Sequence, residues 1–416
     1  MILKKIIWLL TAVTGFNTLS FATETNIQQS GRPIISAYEL QHSSTIFAEK
    51  RRYMVSLPER YSMNKRSYPS LFVIDADFQF QHVSAVVKNL ARMGKIPPMI
   101  VVGIANQGGD DYLKTTTWPD NKDDAFGHAS KLQAYLSQEL LPLIDQQYRT
   151  NSQKALAGYS LGGLFTLYSM MQEGTPFNAF LAMSPSAWFD ENSLPGKLTP
   201  LLTQNKLTAP VFISLANEED MGVDSVIEAF KTSAAKSLNW QYKHYPNENH
   251  FTTALPAIYD GLQFLAPNYA IDGTDMLALG DYKQVFAHFK AQRKQWAGFQ
   301  FEWLHGYQFN KYLFWSKQID QVDDILAELA AEFPESLTLV TIHIANGFNK
   351  KKNFPKALQL LQQVKEQGKS FPGWHKQMSV YYAGIKKAEL AAKHQAIALE
   401  LAKKYHFESW EIWELM

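Results

Sequence analysis

The strongest constraint on this chain is a series of short, continuous, β-rich apolar runs separated by stretches long enough for one helix each. They are "SLFVID" (70–75), "MIVVGIA" (99–105), "KALAGYS" (154–160), "FNAFLAMSP" (177–185) and "APVFISLA" (209–216). Apolar runs without alternation belong to strands buried on both faces, and helical spacers between them imply βαβ units and a mostly parallel sheet. Before them, "RRYMVSLP" (51–58) alternates in part and ends in Pro58, as an early antiparallel strand does. After them, "NWQYKHYP" (239–246) alternates apolar and polar residues and reads as the last strand. The predicted fold is α/β, with helices on both faces of the sheet.

Beyond about residue 270 the strand-like runs stop, and amphipathic stretches rich in Ala, Leu, Lys and Gln take over. Equivalent positions recur at Tyr282, Ile319, Phe354 and Ala388, in steps of 37, 35 and 34 residues. "AEFPES" (331–336) supplies a Pro turn of the kind that joins paired helices. A period near 34 predicts an all-α, helical-repeat domain over 269–416, loosely tetratricopeptide-like, whose extended surface would dock a protein partner. The first 22 residues have a basic start at Lys4 and Lys5, an apolar middle and small residues ending at Ala22. They are expected to be a cleaved signal peptide that sends a 23–268 catalytic domain and its tail to the periplasm or beyond. The chain has no cysteine, which excludes disulfides, Cys-ligated zinc and a thiol nucleophile. A formal net charge of +1 and the lack of a basic block argue against nucleic acid as a partner.

One of the β-rich runs ends in "GYSLGG", a G-x-S-x-G pattern where a strand gives way to a helix-like stretch. A serine attacks a carbonyl only when a base removes its proton and donors hold the oxyanion that forms. A sharp strand-to-helix turn exposes the hydroxyl of Ser160, and the helix N-terminus makes the Leu161 N–H the first oxyanion donor. Of the eleven histidines, His250 in "PNENHFTTALP" follows the last strand in a polar loop, the place a base takes in Ser–acid–His order. His244 lies inside that strand, and His42, His82 and His128 precede the serine. "VFISLANEEDMGVD" delivers Glu218, Glu219, Asp220 and Asp224 into one loop as candidate orienting acids. Such a site needs no metal or organic cofactor.

These stretches together resemble the enterochelin esterase-like branch of the α/β-hydrolase superfamily, which also contains S-formylglutathione hydrolases and feruloyl esterases. Beyond "GYSLGG", the likeness rests on "RRYMVSLPERY" with "YPSLFVIDAD", on "SPSAW", and on "NENHFTTALPAIYDGLQFL". It spans roughly residues 35–267 and implies an α/β-hydrolase fold. It also implies a serine esterase that cleaves carboxylic esters through an acyl-enzyme, siderophore-esterase-like in substrate. Carried over by position, it makes Ser160 the nucleophile, His250 the base and Glu219 the acid, three residues after Ala216, with Glu218 its close competitor. The second oxyanion N–H falls in "DADF" near Asp77 or at Phe78, and Trp188 and Tyr159 line the substrate pocket. "QGGDDYLKTTTWP" departs from the family pattern, which often has an arginine here, so this stretch lends no support to the anionic catecholates that siderophore esterases take. Two other readings of the same residues are a non-catalytic scaffold bearing the repeats and a hydrolase of thioesters or amides.

Overall fold

All seven runs identified as strands form strands, and an eighth precedes them. The computed structural model describes residues 34–119 and 125–416; the leader expected over residues 1–22 lies outside them. In chain order the strands are β1 Tyr38–Ser44, β2 Glu49–Ser56, β3 Tyr68–Ile74, β4 Ile100–Ile104, β5 Thr150–Tyr159, β6 Ala179–Met183, β7 Val211–Ala216 and β8 Trp240–Tyr245. They make one sheet in the order β1-β2-β4-β3-β5-β6-β7-β8. β2 is antiparallel to both β1 and β4, and every other pair is parallel. All residues of β3, β4, β6 and β7 are buried, which is why their sequences do not alternate.

The helices of this part are α1 Ala76–Arg92, α2 Gly109–Thr115, α3 Ala129–Tyr135, α4 Leu141–Gln147, α5 Leu161–Met171, the short α6 Phe189–Asn192, α7 Leu194–Thr203, α8 Val223–Ser233 and α9 Ala254–Leu265. Successive side chains of a strand face opposite ways, so β3 feeds two cores. Leu71 and Val73 join α1 and α9 on one face, whereas Phe72 and Ile74 join α3, α5 and α7 on the other.

From residue 273 the described chain is helical throughout. The segments are α10 Gly273–Leu279, α11 Tyr282–Gln295, α12 Trp303–Trp315, α13 Val322–Glu332, α14 Leu337–Lys350, α15 Phe354–Gln363, α16 Lys365–Gly368, α17 Pro372–Gly384, α18 Ala388–Lys404 and α19 Ser409–Leu415. Tyr282, Phe354 and Ala388 are the first residues of α11, α15 and α18, and Ile319 sits in the single turn before α13. The change of secondary structure near residue 268 falls inside one compact unit, Ala37–Met416. The core on the α1/α9 face continues through Tyr269 into Phe286, Phe289, Phe309 and Leu326.

Candidate active site

β5 turns into α5 at Ser160, whose backbone is held at φ 57°, ψ −121°, a conformation that L-residues rarely adopt. The turn is tight enough that a Cβ on Gly158 would lie 2.0 Å from the carbonyl oxygen of Gly162. Only glycine fits there. The elbow is held by its neighbours. The Ser160 N–H donates to Met183 O at 3.0 Å, and the Ser186 N–H donates to Ser160 O at 3.0 Å. Tyr112 of α2 spans the turn: its hydroxyl donates to Tyr159 O at 3.0 Å and accepts the Gly162 N–H at 2.9 Å, with the Leu161 N–H beside it. Burial, and the nearby Asp75, push the Tyr112 phenol well above its usual range.

The loop after β8 brings His250 Nε2 to 3.0 Å from Ser160 Oγ. The ring's other nitrogen, Nδ1, bonds to Glu218 Oε2. Glu218 Oε1 accepts the Ser184 hydroxyl at 2.8 Å and the Ala216 N–H at 3.2 Å. The carboxylate partner is therefore Glu218, and the expectation of Glu219 is corrected; Glu219 and Asp220 are exposed. The reason is local. The Glu218 N–H folds back onto Ala216 O at 2.9 Å, so the chain turns immediately after β7 and points the first acid of the cluster at the sheet.

The second oxyanion donor also differs in detail from the expectation. The Phe78 N–H donates to Asp75 O at 3.2 Å inside the first turn of α1 and is engaged there. Among the described residues, the amides of Ala76 and Asp77 have no backbone acceptor, as expected of the first positions of a helix. The amides available at this turn are therefore those of Ala76 and Asp77, rather than that of Phe78. Ile74, which leads into this turn, packs on Gly162 of the elbow. Asp75 occupies the N-cap at φ 64° and accepts the Asn106 side-chain amide at 2.7 Å. Burial, with help from Asp77 and against the Asn106 bond, raises its carboxyl to about 6.

Tyr159, expected in the substrate pocket, supports the histidine. Its hydroxyl donates to the His250 carbonyl, and its ring lies 4.9 Å from the imidazole. Trp188 is half-exposed, two residues beyond Ser186, whose hydroxyl is 3.2 Å from Ser160 Oγ. With Phe251, which meets the His250 ring edge-on, and the exposed side chain of Phe78, it gives the region an apolar rim. Sequence reasoning did not single out Tyr112, Ser184 or Ser186; the two serines lie in the quoted "SPSAW", and Tyr112 has no signal beyond its residue type. Among the described residues, no group of three or more His, Asp or Glu is placed to hold a metal ion.

The strand order and the strained serine between β5 and α5 define an α/β-hydrolase. Residues 44–264, 221 of the 416, match the model of the family described as "Putative esterase", and the chain belongs to that family. Membership places it among the carboxylic ester hydrolases. It is similar to the uncharacterized protein YbbA of Bacillus subtilis, at 24% identity over 188 residues, covering 43% of this chain and 73% of that one. It is also similar to ferri-bacillibactin esterase BesA of the same bacterium, at 23% identity over 172 residues, covering 36% of this chain and 60% of BesA. Among solved structures, an IroE-like serine hydrolase from Shewanella oneidensis shares the fold, with a TM-score of 0.58 at 23% identity over 68% of this chain and 95% of the other.

Proposed function

We propose that this protein is an exported serine esterase in which Ser160 attacks the ester carbonyl, His250 moves the proton and Glu218 orients His250. The observation that carries the reading is the continuous relay from Ser160 Oγ through both ring nitrogens of His250 to Glu218. Glu218 keeps the imidazole proton on Nδ1, which leaves Nε2 free to accept the serine proton, and it stabilises the imidazolium that results. As Oγ bonds to the carbonyl carbon, the N–H groups of Leu161 and Asp77 receive the negative oxygen. Collapse of that intermediate breaks the C–O bond, and the alcohol departs with the proton held by His250. Water then attacks the acyl-serine by the same route, giving the carboxylic acid and the free enzyme.

The substrate reading is a siderophore-esterase-like one, supported by the named activity of BesA. The aromatic rim of Phe78, Trp188 and Phe251 favours an ester with a flat or apolar body. Export to the periplasm rests on the leader at residues 1–22. A fluorophosphonate probe and short p-nitrophenyl esters test the chemistry. The wild type is expected to label once, and Ser160→Ala to lose both labelling and at least about 10⁴-fold in kcat. Equal hydrolysis by both proteins would sink the mechanism, and absence of labelling in the wild type would favour the scaffold reading. Comparing kcat/KM for a ferric triscatecholate trilactone with that for a neutral aryl ester tests the substrate class.

A further inference from the structure

We propose that Arg52 and Asn106 are positioning residues of the esterase site, which lock the turn from Ile74 to Asp77 so that the amides of Ala76 and Asp77 face the forming oxyanion. The inference rests on the esterase reading of Ser160 and extends it to residues outside the relay. Arg52 and Asn106 hydrogen-bond to the turn, and among the described residues neither bonds to Ser160, His250 or Glu218. Each acts through the turn.

The sheet brings these residues together. β3 and β4 run parallel with Ile74 beside Ile104, so the two chains leave the sheet side by side. β2 runs antiparallel to β4 with Tyr53 opposite Ile104, and the Ala105 N–H donates to Arg52 O at 3.3 Å. Arg52 therefore stands where β3 and β4 both give way to loops. Its Nη2 donates to the two carboxylate oxygens of Asp77 at 3.0 and 3.1 Å and to Asn106 O at 3.1 Å. Asn106 closes the circuit: its N–H donates to Asp77 Oδ2 at 3.3 Å and its side-chain amide to Asp75 Oδ1 at 2.7 Å. Arg51, whose side chain faces the other way, donates to both carboxylate oxygens of Asp111 at 2.9 and 2.7 Å. Asp111 directly precedes Tyr112, which spans the elbow beside the Leu161 N–H. One strand end thus braces both halves of the oxyanion hole.

Two features of the turn call for such bracing. Asp75 holds a left-handed backbone at φ 64°, a strained state that persists only where neighbours over-determine it. The bond from the buried Asn106 side chain to the buried Asp75 carboxyl is one such constraint. The second feature is charge. Asp75 and Asp77 place two carboxylates in the turn whose amides receive a negative oxygen, and charge of the same sign opposes its formation. Among the described residues, Arg52 is the cation paired with Asp77, and no other lysine or arginine pairs with either acid. Arg52 therefore fixes the geometry of the turn and offsets its charge, whereas Asn106 fixes geometry alone.

The test uses the full chain, a p-nitrophenyl ester and an aryl trifluoromethyl ketone. Ser160 Oγ adds to the ketone carbon, its proton passes to His250 and the ketone oxygen becomes an oxyanion, so this inhibitor reports the hole itself. The matching methyl ketone resists addition and reports ground-state binding. Arg52→Met is expected to lower kcat/KM by about 30-fold and to weaken the trifluoromethyl ketone by a similar factor, with the methyl ketone within about twofold. Asn106→Ala is expected to cost about tenfold in both. The double variant is expected to lose little more than Arg52→Met alone, because both residues act through one turn. Arg52→Lys keeps the charge with fewer donors and is expected to recover to within about fivefold of the wild type. Melting temperatures identify any variant that has not folded, and the Arg52 variants, at a half-exposed position, keep the test decisive if Asn106→Ala fails to fold. The proposal is overturned if the folded variants keep kcat/KM within about twofold of the wild type, or lose activity without weakening the trifluoromethyl ketone. A wild type that neither hydrolyses the ester nor binds the trifluoromethyl ketone overturns the esterase reading and this proposal with it, which keeps the two failures distinguishable.

Discussion

Glu218 and Glu219 are adjacent and chemically identical, yet only one reaches His250. Glu218→Gln is expected to lower kcat by about 10³- to 10⁴-fold, as loss of the orienting carboxylate does in such relays, while Glu219→Gln stays within about twofold. Steady-state kinetics on a p-nitrophenyl ester checks both. Tyr112→Phe removes a hydroxyl that bridges Tyr159 O and the Gly162 N–H across the elbow. It leaves a buried donor without a partner, at a cost of about 1–3 kcal/mol. Because Tyr112 acts through the elbow, kcat is expected to fall about tenfold with KM unchanged. Ser160 and His250 were legible from order and context, since a tight strand-to-helix turn and a polar loop after the last strand leave few alternatives. The choice of acid was not, because it depends on a two-residue turn after β7 that no residue type announces. The Phe78 assignment failed for a similar reason: the left-handed Asp75 caps α1, and the Phe78 amide is absorbed into the first turn of the helix.

At the scale of elements, the buried parallel strands declared themselves because β3, β4, β6 and β7 are buried on both faces and, apart from Ser70 and Ser214, carry no small polar or charged side chain. β1 did not. It is an edge strand with mostly exposed residues, and "YELQHSS" carries no periodic signal. The start of α1 makes a pH-dependent prediction. The Asp75 carboxyl titrates at about 6 in the folded protein and near 3.9 in an unfolded chain, so the native state holds its proton more tightly. Stability from this group is present in full below about pH 4 and is lost as pH rises through about 6. Asparagine tolerates the left-handed backbone and still accepts from Asn106. Asp75→Asn is therefore expected to melt higher than the wild type at pH 8 and the same at pH 4, by circular dichroism.

At the scale of the molecule, the sheet and the helices share one core. Leu71 and Phe80 belong to the same buried cluster as Phe286, Phe309 and Leu361. A single calorimetric transition is expected for residues 37–416, with equal van't Hoff and calorimetric enthalpies. A chain stopped after residue 268 is expected to aggregate or to melt at least about 10 °C lower, because it leaves the α1/α9 face uncovered. The sequence marked where strands cease, but not this sharing, because pattern within a segment says nothing about which other segment covers it.

The joint between Arg60 and Glu411, with the Arg60 guanidinium over Phe407, links positions 351 residues apart. At about 5–20 residues per second, synthesis reaches its second half about 20–70 s after its first. Until the helices that carry Phe286, Phe309 and Leu361 have been made, the outer side of α1 and α9 has nothing to rest on. Chaperone demand during biogenesis is thus set by how late in the gene these covering helices come, rather than by the intrinsic folding speed of the sheet.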